Sequence, residues 1–466
     1  MPASPTQPPP LCREEIERLV EADHRCLWHP FTQMREWYGQ PCLIIAAGEG
    51  CELIDVEGNR YLDGVSSLWA NVHGHRRREI DEAVRRQLDR VAHSTLLGLA
   101  HPAAIELARE LVELAPAGLK RVFYSDNGST AVEAALKIAY QHWAQQGTES
   151  KRTKKQFVSF HNAYHGDTLG AVSVGGVELF HERYRGLLFP VHKVHYPYCY
   201  RCHLGLVHPG CGQACLEELE DLLERSGHTL AALIIEPLVQ GAAGMITAPP
   251  GHLKAVADLC RRYEVLLIAD EVAVGFGRTG KLFACEQEGV SPDLMALAKG
   301  ITGGYLPLAA TLTTESVYAA FLGEAAESKA FFHGHTFTGN PLAAAAALAS
   351  LEVFRKEKTL EALAPKIRHF ETRLEAFRKL EHVGDVRQRG FLAGIELVED
   401  RTSKRPYPVE KRVGVEVILE ARRRGLVIRP LGDVIVLMPP LVMSLPELDR
   451  MLDITFECID RITAEA

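Results

Sequence analysis

The chain of 466 residues contains no uninterrupted apolar run of 18 or more, so no segment reads as a membrane-spanning helix. It also lacks an excess of basic charge. Lys and Arg number 52 against 60 Asp and Glu, a net charge of −8, and the basic residues are scattered. Nucleic acid is therefore a poor candidate partner, because its recognition draws on a concentrated basic face. The opening MPASPTQPPP has no charged segment followed by an apolar run, so it does not read as a secretory signal. Proline and small polar residues bury too little surface to order themselves, and residues 1–10 are expected to form a disordered leader. No internal repeat or low-complexity tract follows it. Eleven cysteines, an odd number without a signal, fit reduced thiols and a cytoplasmic location.

What is present is a chain too long for one core, with 47% apolar residues, enough to build two domains. Short Val-, Ile- and Leu-rich runs predict buried strands at 122–125, 157–160, 232–235, 265–269, 294–298 and 308–312. Between them lie amphipathic stretches such as 130–143, where Val132, Leu136, Ala139 and Trp143 recur at helical spacing. This alternation predicts an α/β fold with a mostly parallel central sheet, whose ligands bind at the carboxyl ends of the strands. A hairpin is expected over 53–62, turning at Glu57-Gly58-Asn59. An Ala-rich helix (341–351), a charged helix (361–380) and a short α/β segment complete the chain. The expected layout is a large domain (76–340) and a smaller one assembled from 11–75 and 341–466.

Two strand ends carry reactive side chains. The run 265–269 delivers Asp270-Glu271, and 294–298 delivers Lys299-Gly300. Either alone is ordinary, since Asp often caps a turn and Lys is usually solvated. Together, in DEVAVGFGRTGKLFACEQEGVSPDLMALAKGITGGYLP, they resemble the class III aminotransferases. The resemblance implies a fold type I enzyme in which Lys299 binds pyridoxal 5'-phosphate as a Schiff base and Asp270 binds the pyridine nitrogen. The chemistry agrees, because a carboxylate that keeps the ring nitrogen protonated makes the ring an electron sink. The GFGRTG at 275–280, with Asp293 beyond it, spells a dinucleotide-binding pattern, and a Rossmann dehydrogenase is the remote alternative. The glycines do not form the strand-to-helix turn which that site requires.

The phosphate needs small residues before a helix start, where free amides and the helix dipole meet an anion. The segment 126–130 (DNGST) has this form, and the resemblance assigns the phosphate to Gly128 and Ser129. Thr336, in HGHTFTGN, matches a threonine that reaches the phosphate from a partner subunit, which implies a homodimer with shared active sites. Tyr164 is expected to stack on the cofactor ring. Glu236, at another strand end, is expected to orient Asp270 or a cofactor hydroxyl.

A finer resemblance, within the same family, is to the branch that aminates 8-amino-7-oxononanoate in biotin biosynthesis. It rests on LWHPFTQM (27–34), SSLWANVHGH (66–75), YHGDT (164–168), Arg429-Pro430 and Met438-Pro439-Pro440. It implies that Arg429 grips the substrate carboxylate, that Trp69 and Phe31 wall an apolar groove with Gly334 beside it, and that Asp167 receives the 8-amino group. The amino donor stays open between S-adenosylmethionine and lysine, because Phe31, Leu68 and His335 depart from the usual pattern. Other ω-amines, such as 4-aminobutyrate or ornithine, are the alternative substrates. Finally, Cys199, Cys202, Cys211 and Cys215 form CxxC…CxxxC, which reads either as a zinc or iron–sulfur ligand set or as free surface thiols.

Overall fold

The computed structural model describes residues 9–466, so most of the expected leader lies outside the described residues. The centre is a seven-stranded sheet: β1 (Leu119–Ser125), β2 (Gln156–Phe160), β3 (His192–Val194), β4 (Leu230–Ile235), β5 (Leu266–Asp270), β6 (Leu294–Leu297) and β7 (Ala309–Thr314). Their spatial order is β1-β7-β6-β5-β4-β2-β3. From β3 to β6 neighbouring strands run parallel, with Ile268 of β5 opposite Ile234 and Leu294; β7 is antiparallel to both β6 and β1. Every residue of β4 and β5 is buried, which is why both read as continuous apolar runs rather than alternating ones.

Helix α1 (Gly128–Ala144) follows β1 directly. The side chain of Asn127 caps it by accepting from the Thr130 amide at 3.1 Å. The helix buries Ala131, Val132, Leu136, Ala139 and Trp143 against the sheet. Its dipole and first amides thus point to the carboxyl edge.

The expected hairpin is present as Glu52–Asp55 against Arg60–Asp63. Leu426–Val427 pairs in parallel with Leu62–Asp63, so strands from both ends of the chain share one sheet. A second small sheet contains Val383–Gln388, Ala393–Leu397, Arg429–Leu431 and Val434–Leu437. The helix over Thr359–Leu374 stops earlier than its charge pattern suggested, and a single 3₁₀ turn, Phe377–Lys379, completes the run. No described helix is long and apolar enough to cross a membrane.

Candidate active site at the carboxyl edge of the sheet

Five strands deliver side chains to one cavity of about 430 Å³. Asp270 terminates β5, Lys299 opens a 3₁₀ turn after β6, and Glu236 follows β4. The 161–167 loop follows β2 with Tyr164 and His165, and Gly128-Ser129 start α1 after β1. Asp270, Lys299, Gly128, Ser129, Tyr164 and Trp69 all line this cavity. Sequence positions as distant as 128 and 299 meet because the rule for parallel sheets gathers strand ends on one edge.

Asp270 is 4% exposed, and its Oδ2 lies 2.7 Å from Nδ1 of His165 while Oδ1 accepts from the Val272 amide at 3.0 Å. Glu236 accepts from the amides of Gly241 and Tyr164 at 2.9 and 3.1 Å. Burial first, then the charge of Asp270, pushes the Glu236 carboxyl up to about 8. Burial pulls the Lys299 ammonium down, against the opposing pull of Asp270 and Glu236. A lysine so placed is closer to its nucleophilic form than a solvated one. Its Nζ lies 5.1 Å from the Trp69 ring centroid.

Trp69 is held in an unusual way. Ser66, Ser67, Leu68 and Trp69 all have positive φ, between 46° and 71°, a left-handed turn built without glycine. Such strain persists only where surrounding contacts impose it. Here Ser66 Oγ donates to Met438 O at 2.6 Å, and Asp63 accepts from the amide and hydroxyl of Ser67.

The cavity suits pyridoxal phosphate on three counts. Nε2 of His165 and Nε1 of Trp69 are buried without a partner among the described residues, polar atoms that a ligand can satisfy. The amides of Gly128 and Ser129 belong to a helix start and have no intrahelical acceptor. A Cβ on Gly128 would lie 2.7 Å from Val272 Cγ1, and one on Gly166 would lie 2.1 Å from Ser129 Oγ, so only glycine leaves this anion cradle clear.

The remaining expected residues lie outside the cavity lining. Asp167 is exposed and accepts from the Tyr164 hydroxyl at 2.7 Å. Phe31 packs edge-on against Phe180, 5.4 Å between centroids, and Phe180 against Tyr164 at 6.1 Å. Arg429 is half-buried; among the described residues its opposing electrostatic neighbour is Tyr164 and no carboxylate is bonded to it. Gly334 and Thr336 are exposed, and the neighbouring His335 bonds Asp126 at 2.6 Å. Sequence reasoning gave no role to His165, the partner of Asp270, although YHGDT contains it.

The GFGRTG turn does not open a helix as a dinucleotide site requires: turn and bend residues lead from it to a short 3₁₀ segment, Ala284–Glu288. Its Arg278, 1% exposed, donates to the carbonyls of Pro439 and Asn71 at 2.6 and 2.7 Å. Asp293, the tempting acid of that pattern, accepts from the Leu267 amide at 2.8 Å. The dehydrogenase alternative is thereby corrected. The four thiols of the CxxC…CxxxC segment line one narrow cavity of about 20 Å³. Among the described residues, the ligand atoms that come within 4.8 Å of one another belong instead to His195, His203 and Glu218.

The sheet and its strand-end lysine and carboxylate define a fold type I, pyridoxal-phosphate-dependent transaminase. The family described as aminotransferase class-III matches residues 33–459. The chain belongs to that family. It is 59% identical to the adenosylmethionine-8-amino-7-oxononanoate aminotransferase of Nitratidesulfovibrio vulgaris, over 95% of this chain and 82% of the relative. To the protein of the same description from Geobacter sulfurreducens it is 56% identical, over 96% and 99%. The crystal structure of the Methanocaldococcus jannaschii relative superposes with a TM-score of 0.91 at 46% identity, covering 96% of this chain and 99% of that one. An ω-transaminase from Pseudomonas jessenii in complex with PMP also superposes at 0.91, with 31% identity over 96% and 98%.

Proposed function

We propose that the protein transfers an amino group from S-adenosylmethionine to 8-amino-7-oxononanoate, giving 7,8-diaminononanoate, a step of biotin biosynthesis. The reading is carried by identity of 56% over nearly the whole of both chains to a relative described by that activity. It is supported by Arg429, a half-buried guanidinium beside Tyr164 with no acidic partner among the described residues, as a site for the substrate's terminal carboxylate requires.

When bound, pyridoxal phosphate supplies a ring that withdraws the charge left on carbon as a proton departs. Lys299 would hold the cofactor and would be the group placed to take and return the proton at the reacting carbon. Asp270, braced by His165 Nδ1, would hold the ring nitrogen in its protonated form. Tyr164 would pack on the cofactor ring and exclude water, and Trp69 would wall the substrate groove; both line the cavity. The amides of Gly128 and Ser129 hold the phosphate, with Thr336 completing that site from a second copy of the chain. Thr336 is exposed and outside its own cavity, and Phe332 and Phe337 on either side of it in the chain are 81% and 60% exposed, as a homodimer interface would require. Phe31, Gly334 and Asp167 complete the substrate groove, and residues 11–75 and 341–466 form the small domain over the large one at 76–340.

The test is a product assay with 8-amino-7-oxononanoate and, in parallel, S-adenosylmethionine, lysine or no donor. Diaminononanoate formed with S-adenosylmethionine is the expected result. Formation with lysine alone would change the donor, and no product with either would overturn the substrate in favour of another ω-amine.

A further inference from the structure

One group of side chains away from the catalytic cavity has the composition and spacing of a ligand set. His195 follows the edge strand β3, His203 lies in the segment beyond it, and Glu218 sits in the first turn of helix Glu217–Ser226. One ligand atom from each lies within 4.8 Å of the other two. The imidazoles of His195 and His203 stack nearly parallel, with centroids 4.0 Å apart and planes 11° from each other. Glu218 Oε2 accepts from the His195 amide at 2.8 Å and lies 2.8 Å from its Nδ1. A third imidazole, His161, stands 4.7 Å from His195 at the end of β2.

Residues 195–213 contain no helix or strand. A segment of that length inside a compact fold needs ties of its own, because its backbone supplies no ladder. Here the end of β3, the middle of the segment and the helix that closes it come to a single point.

We propose that His195, His203 and Glu218 bind one zinc ion that ties segment 195–218 to the edge of the central sheet. Two imidazoles and a carboxylate are a nitrogen–oxygen donor set that suits zinc, whereas magnesium and calcium prefer all-oxygen shells. None of the three lines the catalytic cavity, so the ion is structural and distinct from the transamination chemistry. The nearby thiols are the competing set. Cys199, Cys202, Cys211 and Cys215 share their narrow cavity with His203. Among the described residues, the three ligand atoms that come within 4.8 Å of one another are those of His195, His203 and Glu218, and no such group includes a thiol.

The experiment uses untagged, full-length protein saturated with pyridoxal phosphate. It is stripped on a chelating resin, given zinc chloride with excess magnesium, gel-filtered and measured by elemental analysis. The expected result is about one zinc per chain, with affinity reduced about tenfold or more in both His203→Ala and Glu218→Gln and unchanged in the double variant Cys199→Ser/Cys211→Ser. Cofactor absorbance in each variant reports that it has folded. Less than about a tenth of a zinc per chain in the parent would overturn the proposal. So would undiminished affinity in either His203→Ala or Glu218→Gln. Loss of zinc in the cysteine variant would assign the ion to the thiols instead.

Discussion

Lys299 and Asp270 stood out in the sequence because each closes an apolar run, and the structure places both on the cavity wall. His165 was not legible, since its partner Asp270 is 105 positions away and local pattern says nothing about such pairs. The left-handed turn over Ser66–Trp69 was equally hidden, because four successive non-glycine residues with positive φ run against local preference. Lys299→Ala should lower turnover by about 1,000-fold or more while the protein still binds the cofactor noncovalently, as absorbance and single-turnover kinetics would show. Arg429→Ala should weaken binding of the keto acid by about 2–5 kcal/mol while leaving the donor half-reaction intact. Equal loss in both half-reactions would mean that Arg429 supports the fold rather than the substrate.

At the scale of elements, the strands of the central sheet were legible because burial on both faces writes continuous apolar runs. The edge strand His192–Val194 was not, for it is three residues long and begins with two polar ones. The GFGRTG turn shows why a glycine pattern needs its context. Gly277 has φ of 90°, and a Cβ there would lie 2.6 Å from Leu441 Cδ1, so its glycine serves close packing. Gly166, with φ of 120°, is required more directly by the site. In Gly166→Ala the new methyl would drive Ser129 and the start of α1 away from the phosphate. Strain of about 1–3 kcal/mol passed to the bound state corresponds to roughly a 5- to 150-fold loss of cofactor affinity. An unchanged cofactor dissociation constant would separate the 166 turn from the anion cradle.

For the whole molecule, the buried carboxyl of Glu236 links stability to pH in the cofactor-free protein. Its folded value of about 8 lies above the ordinary 4.5, so between these values the folded chain holds a proton that the unfolded chain has released. Stability from this group is therefore full below about pH 4.5 and falls as pH rises toward 8, by about 1.4 kcal/mol per pH unit at most. Urea titrations across that range should show a slope in the parent that Glu236→Gln flattens; parallel profiles would remove the linkage. The association of two chains belongs to the same scale. Thr336→Ala should weaken cofactor binding although Thr336 lies outside its own cavity, and light scattering should report two chains per particle. A fully active monomer would contradict the shared site.

The claim on which the account depends is that Lys299 holds the cofactor. Borohydride reduction of the protein saturated with pyridoxal phosphate, followed by proteolysis and peptide mass spectrometry, tests it directly. The account predicts one pyridoxyl group per chain, on the peptide that contains Lys299. Label on another lysine, or none on a protein that nonetheless makes product, would contradict it.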